Sequence, residues 1–448
     1  MGLDLFPLTK PKSRNTQIRF VNARRQHKCG QAHTTKPNMN FSISLLLHFL
    51  LLVSLVCHVY SSETSGQNQA FLPEEEFHKL KRTIRIHLQK INKPYVKTIQ
   101  SPDGDIIDCI VSHKQPAFDH PRLKGQKPLD PPERPKSHGR MNILNDNFQL
   151  WILSGESCSE GTVPIRRIKE EDMLRAYSIN TFGRKLKRVR RDTIGNDGHE
   201  YAIGYVSGDE YYGAKASINV WNPQLESPDE FSLSQIWITT GSFEKDLNTI
   251  EAGWQVSPEL YGDSYPRFFT YWTSDDYQGT GCYNLLCSGF VQTSSKIAIG
   301  AAISPTSTYN GGQFDISLMI WKDPKNGNWW LEYGSNGEII GYWPSSLFTQ
   351  LKDHATMVQF GGEIVNSMST GAHTSTQMGS GHFADEGFAK ASYFRNMQVV
   401  DSDNSLIPLQ NLKVLANSPN CYNIQEGTNN GWGNYFYYGG PGRNVNCP

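Results

Sequence analysis

Short runs in which apolar and polar residues alternate dominate the chain beyond residue 200. In NTIEAGWQV (248–256), Ile250, Ala252, Trp254 and Val256 alternate with Thr249, Glu251, Gly253 and Gln255, the period of a strand with one buried face. The same habit recurs in KASINVW (215–221), FSLSQIWITTG (231–241), RFFTYWTSD (267–275), KIAIGAAIS (296–304), DISLMIWKD (315–323), WWLEYGS (329–335) and TMVQFGGEIVN (356–366). Gly, Asn, Asp and Pro separate the runs, so residues 192–448 are expected to form an antiparallel β-sandwich. The earlier pattern differs. In LPEEEFHKLKRTIRIHLQKINK (72–93), Phe77, Leu80, Ile84, Leu88 and Ile91 recur at helical spacing, with glutamates in the first turn and lysines at the end. That predicts a helix whose apolar stripe docks on the rest of the chain. Lys114–Gly139 is a Pro-, Lys- and Arg-rich strap with little to bury, and a second short helix is expected within 158–176. The fold class is therefore mainly β, with a small mixed α/β domain over 63–191 preceding the sandwich.

Charge sharpens this division. Of 43 basic and 43 acidic residues, positions 192–448 hold 11 and 26, leaving 32 and 17 in positions 1–191. Two oppositely charged blocks predict parts of one chain that attract each other, and they argue against a nucleic-acid partner. Residues 1–62 read as a leader. The apolar run 41–60 has the length of a secretory signal peptide or signal anchor, so secretion is expected, with no membrane attachment of the mature form. Six cysteines then remain: Cys109, Cys158, Cys282, Cys287, Cys421 and Cys447. An even count in a secreted chain reads as three disulfides. The most local pairing joins 109 to 158, 282 to 287 and 421 to 447, with other pairings open. CYNLLC lacks a second Cys/His pair at zinc spacing, so no metal is expected. In GRKLKRVRRD (183–192), six of the eight residues 184–191 are basic. An exposed run of this kind is often a solvated linker; where composition changes it is also a processing site, centred on Arg188, Arg190 and Arg191.

The candidate chemistry is acidic. No G-x-S-x-G elbow, H-E-x-x-H, phosphate-binding loop or dinucleotide fingerprint occurs. Glu251 and Glu363 remain: each is a lone carboxylate in an otherwise apolar strand with glycine beside it, and strand glycine marks close approach of another backbone. One such residue is ordinarily a surface group. Two in the same context leave open both a surface role and a carboxyl pair that shares a proton and handles water, with no metal or cofactor.

Two longer stretches carry a resemblance. DGDIIDCIVSHKQPAFDHP (103–121) and GTVPIRR (161–167) resemble the activation peptide of the neprosin family, plant glutamic endopeptidases. QIWITTGSFEKDLNTIEAGWQVSPELYGDSYPRFFTYWTSDDYQGTGCYNLLCSGFVQ (235–292) and FGGEIVN (360–366) resemble its catalytic domain. The resemblance implies a β-sandwich peptidase made as a zymogen, with Glu251 and Glu363 catalytic and cleavage after proline in peptide or protein substrates. It implies disulfides in CYNLLC and between Cys421 and Cys447, and an apoplastic or vacuolar route. The 63–191 segment would be an intramolecular inhibitor that acid releases. Trp254, Tyr261 and Trp272 are candidates to stack on a substrate proline, although core packing is the ordinary role of each. A two-carboxylate glycosidase and a wall-carbohydrate-binding protein with exposed aromatic platforms are the competing readings.

Overall fold

The computed structural model describes residues 74–137, 148–176, 178–185, 198–368 and 372–448, which belong to one compact unit. The expected leader and the processing residues Arg188, Arg190 and Arg191 lie outside the described residues. Among the described residues, no helix is long and apolar enough to cross a membrane.

The N-terminal part contributes α1 (Glu74–Ile91), β1 (Tyr95–Gln100), β2 (Ile106–Val111), β3 (Phe148–Gln149), β4 (Thr162–Arg166) and α2 (Glu170–Arg175). Strands β1, β2 and β4 form a small antiparallel sheet. Most of the α1 stripe docks as its spacing predicts, with Ile84 buried and Leu80, Leu88 and Ile91 packed on Ile168 and Met173, but Phe77 at its first turn is exposed, with Lys81 over its ring. The sandwich strands follow: β5 (His199–Tyr211), β6 (Gly213–Asn219), β7 (Ser232–Thr240), β8 (Asn248–Val256), β9 (Arg267–Thr273), β10 (Val291–Gln292), β11 (Ile303–Ser304) and β12 (Asp315–Lys322). After them come β13 (Trp329–Tyr333), β14 (Glu338–Trp343), β15 (Ala355–Val365), β16 (Ser392–Val400), β17 (Leu406–Pro408), β18 (Lys413–Ala416), β19 (Asn423–Asn429) and β20 (Gly433–Gly439).

One sheet runs β18-β5-β15-β7-β8-β9. The facing sheet runs β10-β14-β13-β12-β6-β16-β20-β19, and β17 also pairs with β16. Between them lie Ile236, Ile250, Trp254, Phe268, Val358 and Phe360 from the first sheet and Ile218, Leu318, Ile320 and Phe394 from the second. These are the apolar halves of the alternating runs, buried against each other as such a period requires. Three disulfides, Cys109–Cys158, Cys282–Cys287 and Cys421–Cys447, have the local pairing.

Two segments depart from the pattern-based expectation. Only Ile303–Ser304 of the run 296–304 is a strand, pairing with β3 of the N-terminal part. Its neighbour Ala298 is held instead by the side chain of Gln149, which accepts from Ala298 N and donates to Ala298 O, both at 2.7 Å. The strap is also more committed than its composition implies. Ala117, Phe118 and Leu123 pack on Val291, Met319, Trp321, Trp330 and Tyr342, the outer face of the second sheet. Three small or apolar side chains in a proline-rich run suffice because the aromatic surface beneath them is already built by the sheet.

An ion cluster joins the N-terminal part to β9. Arg267 is fully buried, 2.5 Å from Asp105 in the β1–β2 turn and 2.5 Å from Asp263. Arg166 of β4 lies 2.8 Å from the other Asp105 oxygen. Burial acts to raise the Asp105 pKa, but Arg267 and then Arg166 overcome it and hold the carboxyl below its ordinary 3.8. Its contribution is therefore complete above pH 3.8 and disappears as pH falls through the lower native value. Asp105→Ala removes the carboxylate that two buried guanidinium groups share, leaving Arg267 with Asp263 and Arg166 with Asp172. It should destabilise the full-length chain by about 3–5 kcal/mol at pH 7, and by progressively less in strong acid. Urea unfolding at the two pH values checks both.

Candidate active site

Register places the two candidate glutamates on one face of the first sheet. Glu251 of β8 lies opposite Trp237 of β7 and Tyr271 of β9, and Glu363 of β15 lies opposite Leu233 of β7 and Tyr201 of β5. Gln235 falls between them on β7, flanked by Gly253 and Gly361. Those glycines are required by the neighbouring strands. A Cβ on Gly253 would stand 1.9 Å from the Ser234 carbonyl oxygen, and one on Gly361, at φ +150°, would stand 2.3 Å from that of Ala202. The close backbone that the glycines signalled belongs to the adjoining strands.

Both carboxylates are buried, with 0% and 2% of their surface exposed, so each needs partners. Glu251 accepts hydrogen bonds from Thr249 Oγ1 at 3.0 Å and Tyr277 OH at 2.9 Å. Glu363 has His199 Nδ1 at 2.6 Å and accepts from Gln235 Nε2 at 3.4 Å. One cation bridges the pair. The Lys185 ammonium lies 2.6 Å from Glu251 and 3.5 Å from Glu363, and is itself nearly buried. Burial alone would depress its pKa, but Glu251 and then Glu363 raise it well above the usual lysine range. Burial likewise pushes Glu363 up, and Lys185 followed by His199 bring it below the ordinary 4.5. Tyr271, whose hydroxyl accepts from Lys185 N, is pushed up to about 12, chiefly by burial.

Lys185 belongs to the N-terminal part, in the basic run read as a processing site. It divides the cleft. On one side Phe182, Gly183 and Arg184 line a small cavity with Phe231, Leu260 and Tyr283. On the other a cavity of about 460 Å³ is lined by Tyr201, Trp237, Phe243, Tyr277, Met357 and Leu415.

The proposed stacking residues are a correction. Trp254 and Trp272 face away from the glutamates into the core between the sheets; Trp254 Nε1 donates to Asn219 O, and Trp272 packs edge-on to Phe348. Residues three apart in a strand, such as Glu251 and Trp254, occupy opposite faces. Tyr261 is buried with its hydroxyl accepting from Gln255 and Asn284 and its ring near Arg166 and Arg267, away from the carboxylates. Neither Lys185, His199, Gln235 nor Tyr277 was found by pattern. The aromatic residues that do face the glutamates include those directly across the register, Trp237, Tyr271 and Tyr201, and Tyr277, whose hydroxyl donates to Glu251.

Comparison with known families matches this layout in both parts. The model of the neprosin activation peptide covers residues 98–205, and that of neprosin covers 228–441. The chain belongs to the neprosin family. As a neprosin-family protein it is a glutamic peptidase preceded by an activation peptide, and the glycosidase and carbohydrate-binding readings are set aside. Among solved structures, similarity extends to scytalido-glutamic peptidase with a peptide-based transition-state analogue, at 14% identity and TM-score 0.29, over 55% of this chain and 98% of that one. It also extends to SCP-B of the eqolisin peptidases in complex with the tripeptide Ala-Ile-His, at 12% identity and TM-score 0.27, over 54% and 96%.

Proposed function

We propose that this neprosin-family chain is a secreted, acid-activated endopeptidase in which Glu251 and Glu363 activate water, and in which residues 63–191 form the inhibitory propeptide of the 192–448 enzyme. The observation that carries this reading is the single Lys185 ammonium spanning both carboxylates. A buried lysine in that position offsets one of the pair's two negative charges and fills the place a scissile peptide and its water need.

Once Lys185 has left, two carboxyls facing one cleft hold one proton between them. The ionised glutamate takes a proton from water as the water oxygen bonds to the peptide carbonyl carbon. The displaced carbonyl electron pair takes the proton of the neutral glutamate. Collapse re-forms the carbonyl, returns that proton and breaks the C–N bond. The nitrogen leaves with the proton first taken from water, and both glutamates regain their starting states.

Cleavage after proline is part of the proposal. The open cavity beside Glu363 supports it, because Tyr201, Trp237 and Tyr277 offer rings against which a pyrrolidine can pack. Three disulfides support an oxidising, secretory destination. The test is acid treatment of the full-length chain followed by digestion of a peptide library. Fragments should end in proline, and the N-terminus of the mature form should fall within 184–191. A map without proline at the cleaved bond removes the specificity, whereas absence of any cleavage removes the peptidase assignment to this pair.

A further inference from the structure

We propose that His199 is the positioning residue that makes Glu363 the ionised, water-activating member of the pair and leaves Glu251 to donate the proton. This rests on the reading of Glu251 and Glu363 as the catalytic pair.

The assignment follows from what remains when Lys185 departs. In the full-length chain both carboxylates share that ammonium. After cleavage on the C-terminal side of Lys185 within 184–191 the lysine goes with the propeptide, but His199 stays with the mature chain as the first residue of β5. It is held there from both sides. The neighbouring Gly198, at φ +86°, accepts a hydrogen bond from Asn366 N at 2.8 Å, and β5 pairs with β15 with His199 opposite Val365. The imidazole lies near the Tyr201 ring at an interplanar angle of 17° and against the edge of Phe231. These contacts fix Nδ1 at 2.6 Å from a Glu363 oxygen. Among the described residues, the donors left on Glu251 are the Thr249 and Tyr277 hydroxyls, both on its first oxygen.

The two carboxyls thus become inequivalent. An imidazole in acid is a cation, and a cation at hydrogen-bond distance favours an ionised partner. Neutral hydroxyls do so more weakly, so the shared proton settles on Glu251. The other ionisable groups facing this centre among the described residues are Tyr201 on β5, Tyr277 and Tyr283 on the loop after β9, Tyr271 on β9, and Asp229, Glu230 and Glu259 around the small cavity, which Arg184 also lines beside Lys185. Burial raises the pKa values of Tyr271, Tyr277 and Tyr283, which stay neutral. Glu230 is tied up by Ser367, Thr374 and Thr376. Among the described residues, His199 is therefore the basic side chain that stays within hydrogen-bond distance of Glu363 once Lys185 has gone.

The test is the pH dependence of kcat/KM for the acid-activated enzyme. A base that must be ionised gives an acidic limb, and removing its neighbouring cation moves that limb to higher pH. His199→Gln should shift the limb upward by about one pH unit and lower kcat about tenfold at pH 3, with KM little changed. His199→Lys, which restores a cation, should bring the limb back towards wild type. A limb of His199→Gln superimposed on that of wild type overturns the proposal.

If His199→Gln fails to fold, the full-length Glu251→Gln and Glu363→Gln chains can be processed in trans by wild type. Infrared titration of 13C-labelled glutamate then compares the carboxyl left in each. Glu363 must ionise at lower pH than Glu251, and the reverse order overturns the assignment. Full activity in Glu363→Gln would instead remove the catalytic pair itself, so the two failures are distinguishable.

Discussion

Glu251→Gln and Glu363→Gln chains will each lose peptide hydrolysis by about 10²–10⁴-fold while keeping the wild-type fold, because each removes a proton-transfer group and replaces it with an isosteric amide. Two features make the expected loss large in both. The carboxylates are buried, so no bulk water substitutes for the missing proton acceptor or donor. They also sit on different strands, with Gln235 of β7 between them in the register. The amide of Gln235 cannot take over, since it neither accepts a proton at working pH nor gives one up. Single-turnover cleavage of a proline-containing peptide between pH 3 and 6 measures the effect, with circular dichroism confirming the fold. Near-wild-type turnover by either variant at any of these pH values would take that residue out of the chemistry.

The glutamates were legible because a period of two reports the face a residue occupies. Glu251 and Glu363 both stand on the polar phase of strands whose other phase is core. The same rule, applied strictly, already assigns Trp254 to the core, since it shares its phase with Ile250 and Ala252. Nearness along the chain to a catalytic residue is misleading in a strand, where the useful neighbours sit across the register. Those neighbours depend on long-range pairing that no local pattern encodes. Trp237 opposite Glu251 and Tyr201 opposite Glu363 could not be read without knowing that β7 and β5 flank the two glutamate strands. The strap and Lys185 were hidden for a related reason. Composition describes a segment's average, whereas Phe118 in a proline-rich run and Lys185 in a basic run act as single side chains meeting a surface built elsewhere.

Lys185 also changes how the charge split should act. A summed field between a basic propeptide and an acidic enzyme would weaken with salt, so high salt at pH 7 would mimic acid. Lys185–Glu251 and Arg267–Asp105 are instead buried pairs, which salt screens poorly. The full-length chain should accordingly stay latent at pH 7 in 1 M salt (about 1 M, where free surface pairs are screened within ~3 Å). Acid acts differently, because it protonates the carboxylates themselves. Glu363 is held below 4.5 and Asp105 below 3.8, so their contributions are complete above those values and are lost only as pH falls through the lower native ones. Lys185, raised above the ordinary lysine range, stays charged throughout, and the carboxyls set the threshold.

Lys185→Met then has a defined outcome. It removes the cation while preserving bulk, and the two glutamates left facing each other take up a proton at higher pH than before. The segment loses its ionic anchor in the cleft, although the Asp105–Arg267 cluster still holds the rest of the propeptide. Self-processing should begin at a pH at least about one unit above the wild-type threshold, equivalent to about 1.4 kcal/mol of lost differential interaction. At pH 5 it should run at least about tenfold faster than in wild type. Following the full-length band by electrophoresis across pH 2.5–7 (about half-unit steps suffice for a shift of that size) gives both numbers. The doubly substituted Lys185→Met, Glu363→Gln chain should not process itself at any pH, which separates loss of the plug from general loosening of the fold. A Lys185→Met chain with the wild-type threshold would mean that the ammonium only fills space between the glutamates, and that latency resides in the buried propeptide contacts alone.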